Sequence, residues 1–256
     1  MAQSVLPSVE SRHVKRRLKL LQASKGMVHP GWCAICGPTM FVITGSWLRE
    51  HYRCLRCLSI PRMRALVHVL ERVRPEWRKA EIFESSPGSA SSRYIAAHCS
   101  RYTPSQLFPD VRSGEYRGGV RREDLESLTY ADESLDIIIT QDVFEHVLDP
   151  ARAFAEVARV LRPDGCHVWT VPIYERPHSV VRARWAAPGE IEYLQPPDYH
   201  GNPLGGGSLV AREWGDDILD FVDASRVTTT TRYRMRSWWL GIRGAMTDVL
   251  VTRRTP

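Results

Sequence analysis

With 256 residues, 43% of them hydrophobic and 25% charged, the chain can bury one full core and a small satellite unit, and its composition excludes extended disorder. The longest apolar runs, such as Ile137-Ile138-Ile139, fall far short of the roughly 20 residues that cross a bilayer. The opening MAQSVLPSVE lacks the charged-then-apolar order of a secretory leader, so a cytoplasmic location with reduced cysteines is expected. The net charge of +6 is uneven: residues 1–28 hold six Lys or Arg against Glu10, residues 29–64 hold five Arg against Glu50, and the remainder is net acidic. Any attraction for phosphates therefore belongs to the N-terminal quarter.

In chain order, residues 1–28 read as a basic arm in which SRHVKRRLKLL forms a solvated helix, with a nucleic-acid-binding arm as the alternative. Residues 29–60 carry Cys33-Ala-Ile-Cys36 and Cys54-Leu-Arg-Cys57, two C-x2-C pairs separated by 17 residues. Two such hairpins complete the tetrahedral thiolate shell of a structural Zn2+, with Cys33, Cys36, Cys54 and Cys57 as ligands; a redox role is the rival reading. Gly37 suits a turn that needs φ > 0, and Met40 to Ile43 read as a ribbon strand. Such a ribbon has little core of its own, so the metal would supply most of its folding energy. Cys99 and Cys166 read as ordinary buried residues.

A helix is predicted from Pro61 to Arg74 on the spacing of Leu66, Val67, Val69, Leu70 and Val73, stopped by Pro75, with residues 61–75 bridging two domains. From residue 76 to 256 short apolar strands alternate with helical segments, which predicts an α/β fold: a doubly wound, mostly parallel sheet. Ile82-Phe83 runs into ESSPGSA, residues 84–90, a turn with a single glycine, followed by a helix from Ser91 to His98. Ile137 to Thr140 is a β-branched run suited to a strand buried on both faces. Asp149 can cap a helix with Pro150 in its first turn, with Phe154, Val157 and Leu161 on one face and Pro163-Asp164-Gly165 ending it. His167 to Pro172 forms the next strand, so the unit is a right-handed crossover. Val227 to Tyr233 and Thr247 to Thr252 read as an antiparallel pair closing the sheet, with Trp238 and Trp239 between them as packing residues.

The stretch LTYADESLDIIITQDVFEHVLDPARAFAEVARVLRPDGCHVWTVP resembles the second half of a class I S-adenosylmethionine-dependent methyltransferase domain, through Asp136, Glu145-His146, Arg159-Val160-Leu161 and Pro163-Asp164-Gly165 in that order. The similarity covers roughly residues 80 to 175. The ribbon ending CLRCLSIPRMRAL also resembles a zinc module found ahead of some bacterial methyltransferase domains. The resemblance implies a Rossmann-like sheet, S-adenosylmethionine as cofactor, and a donor site drawn from several loops. Glu84 stands for the family's acidic residue, Gly88 for its middle loop glycine, and Ser86 and Ala90 for glycines the family more often has. Ser105 and Gln106 stand where a ribose-binding carboxylate usual in the family is missing, with Asp110 as a later candidate. Asp124 and Leu125 match the adenine contacts, and Gln141 faces the cofactor from the carboxyl edge of the sheet.

Methyl transfer from a sulfonium is an in-line displacement with a good leaving group, so alignment and exclusion of water are the main demands. Where a base is needed, His146, His178 and His200 are candidates by position. Residues 175–212 are expected to be a substrate-side insertion, and Tyr199 and His200 within PPDYHGNPLGGG its substrate-facing residues. The expected function is methyl transfer to oxygen or nitrogen of a small-molecule or metabolite acceptor. Two alternatives stand beside it: an RNA methyltransferase gripping nucleic acid through residues 1–64, and a non-catalytic binding protein with a degenerate cofactor site.

Overall fold

The computed structural model describes residues 9–24, 26–201, 205–225 and 227–254. Residues 1–8 of the predicted arm lie outside the described residues, as do 202–204 of the insertion. The chain opens with α1 (Val9–Ala23), then a three-stranded antiparallel ribbon of β1 (Val28–Cys33), β2 (Gly37–Ile43) and β3 (Tyr52–Cys54), with the short α2 (Leu48–His51) between the last two strands. Helix α3 (Pro61–Val73) leads into β4 (Ile82–Ser85), α4 (Ala90–His98), β5 (Tyr102–Gln106), β6 (Tyr116–Arg117), β7 (Val120–Arg122), β8 (Leu135–Gln141), α5 (Pro150–Val160) and β9 (Leu161–Thr170). The insertion is a run of short strands: β10 (Val180–Val181), β11 (Ala183–Ala187), β12 (Glu190–Tyr193), β13 (Tyr199–Gly201), β14 (Gly207–Leu209) and β15 (Arg212–Glu213). Helix α6 (Ile218–Asp223), β16 (Thr228–Tyr233) and β17 (Val249–Arg254) complete the chain.

The main sheet has the order β16-β17-β9-β8-β4-β5-β7-β6. Strands β7, β5, β4, β8 and β9 are parallel. β17 runs antiparallel between β16 and β9, so the doubly wound sheet with an antiparallel C-terminal strand is as expected. The β-branched run in β8 sends alternate side chains to opposite faces. Ile138 joins Phe83, Phe154, Val157, Ile218 and Val222 under α5 and α6, while Ile137 and Ile139 join Leu66, Leu70, Ile95 and Val251 under α3 and α4.

Three departures from expectation have local causes. Helix α3 is packed into the main core as well as touching the ribbon: Ala65, Leu66, Val67, Val69 and Leu70 are all buried in the cluster that holds Ile82 and Ile137, while Arg64 donates to the Tyr52 carbonyl. Helix α5 stops at Val160, and Leu161 already pairs with Leu135. The next pair is Ile137 with Cys166, so Pro163-Asp164-Gly165 is a bulge in β9 rather than a helix stop. Gly165 is needed there because a Cβ would come within 2.9 Å of the Arg162 carbonyl oxygen. Of the two tryptophans predicted to pack, Trp238 sets its edge against Tyr52 and His29 of the ribbon, but Trp239 is 60% exposed and contributes its backbone carbonyl, which accepts from Trp32 N at 2.7 Å.

The Arg-Val-Leu and acidic positions of the crossover have structural work. Arg159 donates to the carbonyls of Leu128 and Tyr130 and to Glu156 and Asp132. Asp136 accepts from Glu81 N and from Arg162, closing the lower end of the sheet.

His167 in β9 is wholly buried, bonded through Nε2 to Thr140 Oγ1 at 2.9 Å and stacked on Trp169. Burial pushes its imidazole down to about 3, against about 6.5 in an unfolded chain. The unfolded state takes up a proton below that value and the folded state does not, so the stabilisation is whole above pH ~6.5 and declines as pH falls toward ~3. Unfolding free energies from urea titrations down this range are expected to drop with a slope of up to ~1.4 kcal/mol per pH unit from this one group, and His167→Leu to lack that component.

Candidate active site

Strand β4 ends in a buried Ser85 and turns sharply. Ser86 takes a left-handed backbone (φ +55) and is tied to β5 by its N–H on the Ser105 carbonyl at 2.8 Å. Gly88 sits at φ +140, and a Cβ built on it meets nothing within 4 Å. The glycine thus serves the backbone conformation, and the space over it belongs to a cavity of ≈ 880 Å³ at the carboxyl edge of the sheet, where open α/β folds bind ligands. Ser89 then caps α4 by accepting from Ser92 N.

Of the residues read as donor-binding, Ser86, Gly88, Gln106, Asp124, Leu125 and Gln141 all line this cavity. Asp124 accepts from Glu126 N through Oδ1, which leaves Oδ2 for a ligand. Glu84 and Ser105 are not in the wall. Glu84 is fully buried beneath it, accepting from Ser92 Oγ, Tyr102 OH and Gln141 Nε2, each at 2.7 Å, and burial pushes its carboxyl pKa up. Its role is to lock the loop after β4 to the end of β8. Ser105 is buried with its Oγ unpartnered; at the end of β5 only the neutral amide of Gln106 faces the cavity. Asp110 lies outside, exposed and paired with Arg117. Glu123 reaches the wall, but Arg121 and Thr129 occupy its carboxylate.

The insertion forms the opposite wall. Trp185 Nε1 donates to Glu126 Oε2 at 2.7 Å, and the amides of Ala211 and Arg212 donate to the Glu145 carbonyl. His200 lines the cavity; Tyr199, 56% exposed, does not. Both lie in β13, where neighbouring side chains point to opposite faces, so the paired assignment could hold for only one of them. His146 lines the cavity from the loop after β8, its Nδ1 at 2.8 Å from the Leu209 carbonyl. Burial lowers its pKa, and burial beside Asp142 pushes that of Glu145 well up. His178 lies outside this cavity, largely exposed beside Asp217.

The ribbon supplies the third wall, which sequence reasoning missed. Arg49 and Glu50 of α2 and Arg62 of α3 reach the cavity. Asp142, held at φ +54, accepts from Arg49 Nη2 at 2.7 Å, from Arg62 Nε at 2.8 Å and from Thr170 Oγ1 at 3.0 Å. Burial alone would raise this carboxyl, but the two guanidinium groups hold it below its usual range. Counted as net charge, these arginines suggest a surface for phosphate; in the fold Arg49 is 7% exposed and faces inward.

Within the ribbon the four thiols converge. Sγ of Cys33 lies 3.7 Å from that of Cys57, and Sγ of Cys36 lies 3.5 Å from that of Cys54. A tetrahedron with metal–sulfur bonds of 2.3 Å has edges of about 3.8 Å. All four thiols are free of disulfides. The residue after each C-x2-C pair is left-handed: Gly37 at φ +77, as expected, and Leu58 at φ +62, which for leucine costs roughly 1–2 kcal/mol.

Residues 87–169 match the family described as a methyltransferase domain. Over 74% of this chain and 98% of the other, the fold is that of an S-adenosylmethionine-dependent methyltransferase from Mesorhizobium loti, with a TM-score of 0.50 and 20% identity. Residues 87–169 are thus a methyltransferase domain by family match, set within that fold. A 1,6-didemethyltoxoflavin-N1-methyltransferase from Burkholderia thailandensis, solved with bound 1,6-didemethyltoxoflavin and S-adenosylhomocysteine, aligns over the whole chain and 94% of its own at 15% identity and a TM-score of 0.47. A curated dimethylglycine N-methyltransferase from Parasynechococcus marenigrum is 44% identical over 48 residues, 19% of this chain and 17% of that protein. The family match to the methyltransferase domain begins after the ribbon, so Arg49, Glu50 and Arg62 lie outside it. Among the described residues no helix is long and apolar enough to cross a membrane.

Asp142→Ala would remove the more buried of the two carboxylates that Arg49 and Arg62 share and leave them only Glu50. A loss of about 3 kcal/mol in denaturant unfolding is expected, with faster amide exchange across residues 28–57; unchanged exchange in the ribbon would show that Asp142 does not hold it.

Proposed function

We propose that the chain transfers the methyl group of S-adenosylmethionine to an oxygen or nitrogen of a small-molecule acceptor, and that its four-cysteine ribbon holds a structural zinc. The observation that carries the first part is the single cavity with two ends: the glycine turn, Gln106, Asp124 and Leu125 at one, and Glu145, His146 and His200 under the insertion at the other. The donor would lie along the first set, with Asp124 for its adenine amino group, Leu125 against the ring and Gln106 for a ribose hydroxyl. It supplies a methyl group on a sulfonium, already activated toward displacement. What this chain's residues add is alignment and dryness. The turn at Ser86 and Gly88 lets the donor lie close to the backbone, and the insertion, fastened by Trp185, covers the acceptor.

The enclosure favours a small acceptor over a polynucleotide. Arg49, Arg62 and Arg64 of the basic quarter are turned inward onto Asp142, Glu50 and backbone carbonyls, so they are not offered to phosphates. The name of the curated relative, dimethylglycine N-methyltransferase, is in keeping with an acceptor of metabolite size.

For the ribbon, the donor set and thiol spacing suit Zn2+. Four thiolates around Zn2+ leave a net charge of −2, and Arg64, fully buried with no carboxylate partner among the described residues, bonds to Ser59, Tyr52 and Gly241 beside them. Cys54→Ser is expected to lower bound zinc by about one ion per chain relative to wild type by elemental analysis; equal zinc content would refute the ribbon assignment.

Titration calorimetry with S-adenosylhomocysteine tests the donor site. Wild-type protein is expected to bind one equivalent and to gain roughly 2.7 kcal/mol of stability at 100 times the dissociation constant. Gly88→Val, which fills the space over the turn, should weaken binding at least tenfold. A wild type that fails to bind leaves the degenerate, non-catalytic reading standing instead.

A further inference from the structure

At the acceptor end of the cavity, three side chains meet with no counter-charge among them. Glu145 is 2% exposed and its Oε2 has no hydrogen-bond partner among the described residues. Its Oε1 lies 3.8 Å from His146 Nε2. Because the Leu209 carbonyl near His146 Nδ1 can only accept, Nδ1 carries the proton and Nε2 presents a bare lone pair. His200 stands edge-on to His146, ring centres 5.4 Å apart. One donor atom from each of the three residues lies within 4.8 Å of the others. The arginines on the cavity wall, Arg49 and Arg62, are bonded to Asp142 and Glu50. A buried carboxyl group and an imidazole lone pair facing each other are satisfied by a positive centre between them, a metal ion or a proton.

We propose that Glu145, His146 and His200 bind a divalent first-row transition ion, a second metal site separate from the four cysteines. One carboxylate oxygen and two imidazole nitrogens suit zinc, iron or manganese; calcium and magnesium prefer shells made of oxygen. The Leu209 carbonyl fixes the tautomer and orientation of His146, as carbonyls commonly do for metal-bound histidines. Three protein ligands leave coordination positions open, and here they open into the cavity, where an acceptor oxygen or nitrogen can take one. That last use rests on the methyl-transfer reading; the binding of the ion does not. Two ligands come from the loop after β8 and the third from β13, so the set is complete only with the insertion in place over the domain.

The test is calorimetric titration of Zn2+ into the full-length protein whose ribbon is already loaded. One further zinc per chain is expected, with affinity lowered at least tenfold by His200→Ala and by Glu145→Gln and unchanged by His178→Ala, whose imidazole lies outside the cavity. His200 is on a surface hairpin away from the core, so an unaltered melting temperature shows that His200→Ala is folded. No uptake beyond the ribbon, or equal uptake by wild type and His200→Ala, overturns the proposal and implies a neutral, protonated Glu145. A parallel S-adenosylhomocysteine titration separates the two readings: donor binding without a second zinc removes only the ion, and a second zinc without donor binding removes only the methyl-transfer assignment.

Discussion

The carboxylate of Asp142 is the point on which the assembly of the site depends. It ends the central strand β8 in a left-handed turn and draws two guanidinium groups, one from the ribbon and one from α3, against the mouth of the cavity. A carboxylate so enclosed stays ionised only because both cations are there. The same residue bonds Thr170 at the end of β9, so the ends of two neighbouring strands and the ribbon are fixed together. Sequence position hides this. Asp142 is 80 residues or more from either arginine, and the pairing exists only after the crossover has formed.

What could be read from the sequence was whatever is local or repeats with a regular period. The β-branched run of β8, the Asp149-Pro150 start of α5, the single-glycine turn after Ile82-Phe83 and the spacing of four cysteines each carry their cause within a few residues. The errors fall where a tertiary neighbour decides. Leu161 sits on the apolar face of a helix by period, yet pairing with Leu135 takes it into a strand. Glu84 reads as a ligand contact, but Ser92, Tyr102 and Gln141 enclose it below the cavity floor. Tyr199 and His200 were indistinguishable by composition; the alternation of a strand separates them, and only recognising YHG as a strand from the sequence would have shown it.

Charge was the least transparent property. The excess of arginine in the first quarter is real, but a count carries no direction. Arg64 lies under the ribbon with its guanidinium 4.8 Å from the ring centre of Phe41 and 5.3 Å from that of Tyr52, and Arg49 and Arg62 point to the cavity. That Ser86, Gly88, Gln106, Asp124, Leu125 and Gln141 share one cavity was legible because the resemblance over residues 80 to 175 fixes a register; the wall formed by Arg49, Glu50 and Arg62 was not, since it lies outside that stretch.

The segment joining β16 to β17 lies against the ribbon. The carbonyls of Trp238, Trp239 and Gly241 accept from Tyr52, Trp32 and Arg64, and Arg64 itself projects from a helix buried in the main core. A metal-binding module strung on a flexible tether could come apart alone, leaving its neighbour intact. This one is bonded to the β16–β17 connection and, through Arg64, rooted in the hydrophobic interior, so a loosening at the cysteines is felt at the edge of the main sheet.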